Sequence, residues 1–301
     1  EGASRGRMGE IIKSKEVRKL ENVKIAPRRE IRKVGIVGCG LMGGGYVQLC
    51  AQKGYQVVVS DETEELLKKG LNIIEVRLAG SADKDLILSQ IHGTTGFQSF
   101  SECDLVIEAV TEKMEVKKRV FAELDRVCPK DIILATNTSV LSVLDMAVVT
   151  QRPDRVLGIH MNPLFFASAE IIKTIVTSDE AVEIGKNFSL SLGKGVAVVK
   201  DIPGFIVNRL ITPLFLSAIR MVETDQASKD DIDMLFKSMG WAVGPFGMID
   251  GIGLDTVLLG CNAVYEELKD PQFAPPLLLK KMVTAGWLGM KTGKGFYEYG
   301  K

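Results

Sequence analysis

The segment Arg32-Lys-Val-Gly-Ile-Val-Gly38-Cys-Gly40-Leu41-Met42-Gly43 joins a short apolar run directly to glycines spaced G-x-G-x-x-G. Such a junction starts a strand, a tight turn and a helix. Gly38 allows the turn, Gly40 lets the backbone approach a pyrophosphate, and Gly43 lets the helix lie close on its strand. The pyrophosphate would rest on helix amides, beside Leu41 and Met42. The motif is weak alone, so the flanking residues must supply the rest of the unit. Residues 44–51 read as the helix, Gly54 as its stop, and Tyr55-Gln-Val-Val-Val-Ser60 as a second strand. Asp61 ends that strand at the place where a ribose 2′-hydroxyl needs an acceptor, about 20 residues past the glycines. Glu62 and Thr63 follow with no arginine nearby, which predicts NAD rather than NADP. A plainer reading makes the glycines an ordinary turn and Asp61 a helix cap.

A chain of 301 residues can hold two domains. Lysine plus arginine and aspartate plus glutamate are 38 each, so no overall field draws the chain to nucleic acid or an anionic membrane. Cys39, Cys50, Cys103, Cys128 and Cys261 are scattered and never form C-x-x-C, which reads as reduced packing thiols; no metal site is expected. The apolar stretch 210–222 is too short to cross a bilayer, contains Pro213 and is bracketed by Arg209 and Arg220, so a soluble protein with no membrane span is expected.

Residues 1–30 are basic and poor in aromatics; they read as an N-terminal extension with a short helix over 13–20. From 31 to 202 strands alternate with helices. Asp104-Leu-Val-Ile-Glu-Ala-Val110 and Ile132-Ile-Leu-Ala-Thr136 are buried strands, 116–127 is helical, and a helical hairpin fills 62–91. This predicts an α/β fold, a Rossmann-type doubly wound parallel sheet, with 156–160, 170–175 and 196–200 continuing it. At Asp201-Ile-Pro-Gly204 the spacing turns helical, so a smaller all-α domain is expected over 203–301. Its helices are expected over 205–224 with a kink at Pro213, from a Ser228 capping box to Ser238, and over 249–267 and 276–285.

Proton transfer near neutral pH most often uses histidine, and the chain has two. His92 precedes Gly93-Thr-Thr in what reads as a surface connection. His160 ends an apolar strand, at the end of the sheet where ligands of open α/β folds bind, and leads into Asn162-Pro163. Glu170 begins the next apolar run and could orient it.

From about Arg32 onward the chain resembles the L-3-hydroxyacyl-CoA dehydrogenases, including the bacterial 3-hydroxybutyryl-CoA dehydrogenases. The resemblance is carried by the glycine motif, Asp104-Leu-Val-Ile-Glu-Ala-Val-Thr-Glu112, Thr136-Asn-Thr-Ser139, His160 with Asn162-Pro163, Pro203-Gly-Phe-Ile-Val-Asn208-Arg209, Gly244-Pro-Phe246, Gly253-Leu-Asp-Thr256 and Lys291-Thr-Gly-Lys-Gly-Phe-Tyr297. It implies an NAD-dependent enzyme acting on acyl-CoA and dimerising through its helical domain. By matching motif positions, His160 would be the base, Glu170 would orient it, and Ser139 and Asn208 would bond the substrate oxygens. Glu112, Lys117, Asn162 and Lys291 would lie near the cofactor. Without the resemblance, Ser139 reads as a helix cap, Asn208 as a partner of neighbouring backbone, and Lys117 as part of a solvated face with Lys118 and Arg119.

The chain departs from the family pattern between His160 and Glu170, which stand two residues closer than usual. An even loss keeps both side chains on one face of a strand but alters the setting of Asn162. Ser168-Ala169 replaces the usual Leu-Val, and the loop carries bulky Phe165 and Phe166, which implies a different acyl pocket. The helical hairpin is also short, leaving Lys68, Lys69 and Arg77 as candidates for the CoA nucleotide. The leading expectation is NAD-dependent oxidation of a short-chain (S)-3-hydroxyacyl-CoA. The alternatives are a dehydrogenase of carnitine or a sugar acid, an NAD(H)-binding sensor or structural protein without catalysis, and one module of a longer hydratase–dehydrogenase chain. Reduced thiols suit bacterial cytoplasm, mitochondrial matrix or peroxisome equally.

Overall fold

The computed structural model describes residues 30–164 and 166–300. The expected extension over 1–30, with its helix over 13–20, lies outside the described residues except for Glu30.

The α/β part runs β1 (Lys33–Val37), α1 (Leu41–Gln52), β2 (Gln56–Ser60), α2 (Glu64–Arg77), α3 (Lys84–Ser89), β3 (Ile91–Thr94), β4 (Leu105–Glu108), α4 (Met114–Val127), β5 (Ile133–Thr136), α5 (Val143–Ala147), β6 (Val156–His160), β7 (Ser168–Lys173), α6 (Asp179–Ser191) and β8 (Gly195–Lys200). Then come α7 (Val207–Glu223), α8 (Lys229–Ser238), α9 (Pro245–Ile252), α10 (Leu254–Leu268) and α11 (Leu277–Thr284). The strand order is β3-β2-β1-β4-β5-β6-β7-β8, with the switch point between β1 and β4. Ligands of such sheets bind beyond the carboxyl ends of the strands at that crevice.

Alternation along the strands divides the sheet's side chains between two cores. Val34 and Ile36, Leu105 and Ile107, Ile133 and Ala135, and Leu157 and Ile159 face Tyr46, Val47 and Ile74 from α1 and α2 and Phe188 from α6. Val106, Leu134, Val156 and Ile172 face Phe121 and Leu124 from α4 and Met146 from α5. The second face is also the one to which the period of two directs Glu108, Thr136, His160 and Glu170, because Glu108 pairs with Thr136, Thr136 with Gly158, and His160 with Glu170. A third core, around Phe215, Ile219, Phe246 and Leu279, holds the helical part together.

Helix starts follow local chemistry. Thr63 caps α2 by accepting from the Leu66 N–H (3.2 Å), with Glu64 and Glu65 in the first turn. Ser228 caps α8 by accepting from the Asp231 N–H (3.1 Å). The cap of α2 is therefore not Asp61, and that of α5 is Ser142 rather than Ser139.

Several expectations require correction. The strand from Ser168 runs antiparallel to β6, although β8 returns parallel to β7. Only residues 161–167 separate β6 from β7, whereas a parallel crossover takes about a dozen residues or more. His92 lies in the edge strand β3 rather than in a connection, though it is exposed. The helix expected from 205 begins at Val207, because Gly204 and Phe205 adopt positive φ (83° and 49°). The helix expected over 249–267 is two helices meeting at 94°, broken at Gly253, whose φ is 101°. Among the described residues no single helix is long and apolar enough to cross a membrane.

Candidate active site

At the end of β1 the chain turns through Gly38 (φ 99°), where an added Cβ would lie 2.7 Å from the Ala109 carbonyl oxygen at the end of β4. At Gly43 the same atom would overlap the Gly38 carbonyl, so the helix can touch its own turn only without a side chain. A Cβ added at Gly40 would meet nothing beyond its chain neighbours within 4 Å, and no side chain caps the N-terminus of α1, which also carries no acid in its first turn. The residues fit a dinucleotide: an open approach to free helix amides, with Leu41 exposed at the rim. Asp61 lies beside this turn, its Oδ2 accepting from the Cys39 N–H at 2.8 Å, and the other oxygen accepts from the Glu62 N–H at 2.7 Å. Each carboxylate oxygen keeps a further lone pair for a ribose hydroxyl.

Three strands along from β1, the second face of the sheet builds a proton relay. His160 and Glu170 are directly opposite across the β6–β7 pair, and His160 Nδ1 lies 2.7 Å from Glu170 Oε2. The other ring nitrogen, Nε2, lies 3.2 Å from Ser139 Oγ. His160 is 16% and Glu170 7% exposed, so the imidazole is held in a mostly dry wall with one edge open. Glu170 Oε1 accepts from the backbone N–H groups of Ile206 (2.7 Å) and Val207 (3.1 Å) at the start of α7. Burial disfavours the Glu170 carboxylate, but the hydrogen bonds from His160, Ile206 and Val207 outweigh it and hold its pKa below the usual carboxylate value. Asn208 follows as the second residue of α7 and is half-buried. The ring of Phe205, held at its positive φ, packs on the imidazole with centroids 5.4 Å apart.

Beneath the relay lies a buried charged group. Lys117 and Glu108 are 1% and 0% exposed and meet at 2.7 Å. Glu108 also accepts from Thr136 Oγ1 (2.7 Å) and the Val110 N–H (2.7 Å). Burial nonetheless pushes the Glu108 carboxyl up, against the pull of Lys117. Glu112 links this group to the surface: its Oε2 is 3.2 Å from Lys117 Nζ, and its Oε1 accepts from Thr138 Oγ1 (2.5 Å), Ser139 N–H (2.9 Å) and Val140 N–H (3.3 Å). Glu112 thus fixes the turn that presents Ser139. Lys117 belongs to the interior and not to a solvated face. Lys117→Met strands the Glu108 carboxyl without its cation, and urea unfolding is expected to show a loss of about 3 kcal/mol; a loss under about 1 kcal/mol would mean that the neutral acid is comfortable with Thr136 and the Val110 amide alone.

The structure therefore brings Ser139, His160, Glu170 and the start of α7 together, with Glu112 supporting Ser139. Asn162 Oδ1 accepts from the Leu164 N–H (3.2 Å) in its own loop. Lys291 lies instead against Asp255 at the start of α10 (2.5 Å). Its motif closes the helical part: Asp250 accepts from the Phe296 and Tyr297 N–H groups (2.9 and 2.8 Å), and a Cβ at Gly295 would overlap the Asp250 carboxylate.

Sequence reasoning assigned nothing to Glu108, Asn137, Tyr46, Phe205 or Lys194. Glu108 carried a readable signal, an acid inside a continuous apolar strand with a lysine nine residues on. The Tyr46 hydroxyl reaches the Ile159 carbonyl (2.6 Å) and Asn137 Oδ1 (2.8 Å), a connection across the fold that no local pattern announces.

Comparisons with known proteins identify the family of the chain. Residues 33–202 match the family model of the 3-hydroxyacyl-CoA dehydrogenase NAD binding domain, and residues 204–299 match that of the 3-hydroxyacyl-CoA dehydrogenase C-terminal domain. A 3-hydroxybutyryl-CoA dehydrogenase of Mycobacterium tuberculosis is 41% identical over 282 residues, covering 89% of this chain and 99% of that protein. The mitochondrial hydroxyacyl-coenzyme A dehydrogenase of Sus scrofa is 38% identical over 287 residues, covering 89% of this chain and 91% of that protein. The crystal structure of (S)-3-hydroxybutyryl-CoA dehydrogenase from Ralstonia eutropha superposes with a TM-score of 0.85 at 37% identity, covering 90% of this chain and all of that one. A Rossmann sheet with an open NAD cradle, followed by helices that complete the site, and matches along both parts establish that the chain belongs to the 3-hydroxyacyl-CoA dehydrogenase family of NAD-dependent oxidoreductases.

Proposed function

We propose that in the NAD-dependent oxidation of a short-chain (S)-3-hydroxyacyl-CoA by this chain, His160 is the general base and Glu170 the group that orients it. The observation that carries the reading is the contact of His160 Nδ1 with Glu170 at 2.7 Å while Nε2 faces Ser139. The carboxylate favours the proton on Nδ1, which leaves the Nε2 lone pair free to take the C3 hydroxyl proton. NAD supplies the acceptor for the hydride that leaves C3 as the carbonyl forms. Ser139 and Asn208 bond the substrate oxygens, Asn208 from a helix start docked on Glu170. In the reverse direction the imidazolium returns the proton to the developing alkoxide.

Leu41, Met42 and the glycines at 38, 40 and 43 hold the pyrophosphate, Asp61 the ribose, and Glu112, Lys117, Asn162 and Lys291 complete the cofactor's surroundings, Lys117 acting through Glu112. The exposed Lys68, Lys69 and Arg77 share one face of α2, lining a shallow depression of about 590 Å³ with Ile73 and Val76, and there receive the CoA nucleotide. The names of relatives, 3-hydroxybutyryl-CoA dehydrogenases, support a short acyl chain. The domain division falls at 202/203, and exposed Leu210 on α7, Met234 and Leu235 on α8 and Met239 just after it support a homodimer through the helical part. The compartment is the cytoplasm for a bacterial source and the mitochondrial matrix or peroxisome for a eukaryotic one.

The test is loss of NADH absorbance with acetoacetyl-CoA, beside NADPH, longer 3-ketoacyl-CoAs and free acetoacetate. Turnover requiring both NADH and the CoA thioester is expected; NADH binding without turnover on any acyl-CoA would overturn the reading. Asp61→Ala is expected to raise the Kd for NADH by roughly tenfold or more, the worth of hydrogen bonds to a charged acceptor, and to leave NADPH binding unchanged or tighter. Fluorescence titration checks this, and parent-like NADH affinity would remove Asp61 from ribose recognition.

A further inference from the structure

Residues 161–167 join the proposed base to the acid that orients it, so a shift of this loop moves both ends of the relay. The loop is held from three directions. Pro163 and Leu164 lie against Gly45 on α1, where an added Cβ would stand 3.3 Å from each. Asn137 Oδ1 accepts from the Met161 N–H at 3.2 Å. The third hold comes from the corner between α6 and β8. There Gly193 (φ 81°) reverses the chain and the Lys194 N–H donates to the Ser189 carbonyl (3.1 Å). The Lys194 side chain runs under the loop, and its Nζ donates to the carbonyls of Pro163 (2.7 Å) and Phe166 (2.6 Å). Next to it the Gly195 N–H donates to the Ala167 carbonyl (2.7 Å).

Lys194 is 8% exposed, and the acceptors of its ammonium are neutral carbonyl oxygens. Desolvating an ammonium without a carboxylate is costly, and an apolar side chain would fill the space without that cost. Burial and the nearby Lys53 accordingly lower the Lys194 pKa. A charge kept in such a place does something that packing alone does not: it draws two loop carbonyls, three residues apart in sequence, to one point.

We propose that Lys194 is a positioning residue for the dehydrogenase reaction, its ammonium drawing the 161–167 loop into the conformation that holds His160, Asn162 and Glu170 in reactive geometry. The proposal rests on the assignment of His160 and Glu170 above. Lys194 touches neither substrate nor cofactor and acts through the loop.

The experiment compares Lys194→Met, Lys194→Gln and Lys194→Arg in the full chain. It measures kcat and KM with acetoacetyl-CoA and NADH, and backbone deuterium exchange over 161–168 and over α5. In Lys194→Met kcat is expected to fall roughly tenfold to a hundredfold, the penalty of a misplaced catalytic group, with KM for the thioester little changed. Exchange should quicken over 161–168 and not over α5. Lys194→Arg, which keeps charge and donors, should recover most of kcat, and Lys194→Gln should fall between. Should Lys194→Met fail to fold, the Gln and Arg variants decide by the same readouts. Parent-like kcat in the Met and Gln variants, or a loss with faster exchange throughout the sheet that Arg does not restore, would overturn the proposal. If the parent itself turns over no acyl-CoA, it is the base assignment that fails; exchange over 161–168 still reads the anchor, and unchanged exchange in the variants would remove Lys194 from that role.

Discussion

His160→Gln is expected to lower kcat for acetoacetyl-CoA reduction by roughly 10³-fold, within the range ascribed to a positioned general acid or base, while the Kd for NADH stays close to the parent value. The reason is local. Glutamine can occupy the space of the imidazole between Ser139 and Glu170, but its amide neither accepts nor returns a proton near neutral pH. The cradle at Gly38, Gly40 and Gly43 belongs to β1 and α1 and does not depend on the ring. Steady-state kinetics and NADH fluorescence separate the two effects. A variant retaining a tenth or more of parent kcat, a far smaller loss than roughly 10²-fold, would show that the proton leaves by another route.

Glu170→Gln is expected to be at least as damaging, for a different reason. The amide oxygen of glutamine can still accept from Ile206 and Val207, which leaves its NH₂ group facing His160 Nδ1. A donor at that position favours an imidazole protonated on Nε2, and the lone pair that should face the substrate hydroxyl is lost. A wrong tautomer in an otherwise intact triad of another enzyme costs about 10⁴ in kcat, so a loss of roughly 10³ or more is expected here.

The same substitution has a signature in stability. The folded Glu170 pKa lies below the ordinary carboxylate value. The carboxylate therefore stabilises the fold above the unfolded pKa of about 4.3, and that contribution is lost as pH falls through the depressed folded value. Denaturation measured between neutral pH and this acid window should decline more steeply in the parent than in Glu170→Gln. Equal slopes, with kcat preserved, would remove Glu170 from both tasks.

Two features explain why one carboxylate carries so much. Its two oxygens point in different directions, one to the base and one to the Ile206 and Val207 amides at the entry to α7, immediately before Asn208. The positive φ of Phe205 belongs to the same junction: a non-glycine residue there costs on the order of 1–3 kcal/mol, and its ring reaches the imidazole. The relay is thereby assembled from the sheet and the first helix beyond it.

Much of this molecule is legible in the order of its residues. The glycines from Gly38 to Gly43, the β-branched run ending at Asp61, and the buried runs at 105–108 and 133–136 each encode a strand, turn or helix within about ten neighbours, and periods of 2 and 3.6 are local properties. What only the tertiary structure decides is which distant groups meet. The antiparallel turn after β6 makes His160 and Glu170 direct partners. Lys117 proves to be an interior cation because β4 and α4 close over it, and Lys194, distant in sequence, holds the loop between base and acid. The direction of β7 stood within reach, since residues 161–167 are too few for a crossover. Lys117 left a trace in the acid of the apolar strand nine residues before it, but Lys194 left none, because its ammonium is placed by carbonyl oxygens that arrive from another element, and nothing in its own neighbourhood distinguishes it from a lysine in water.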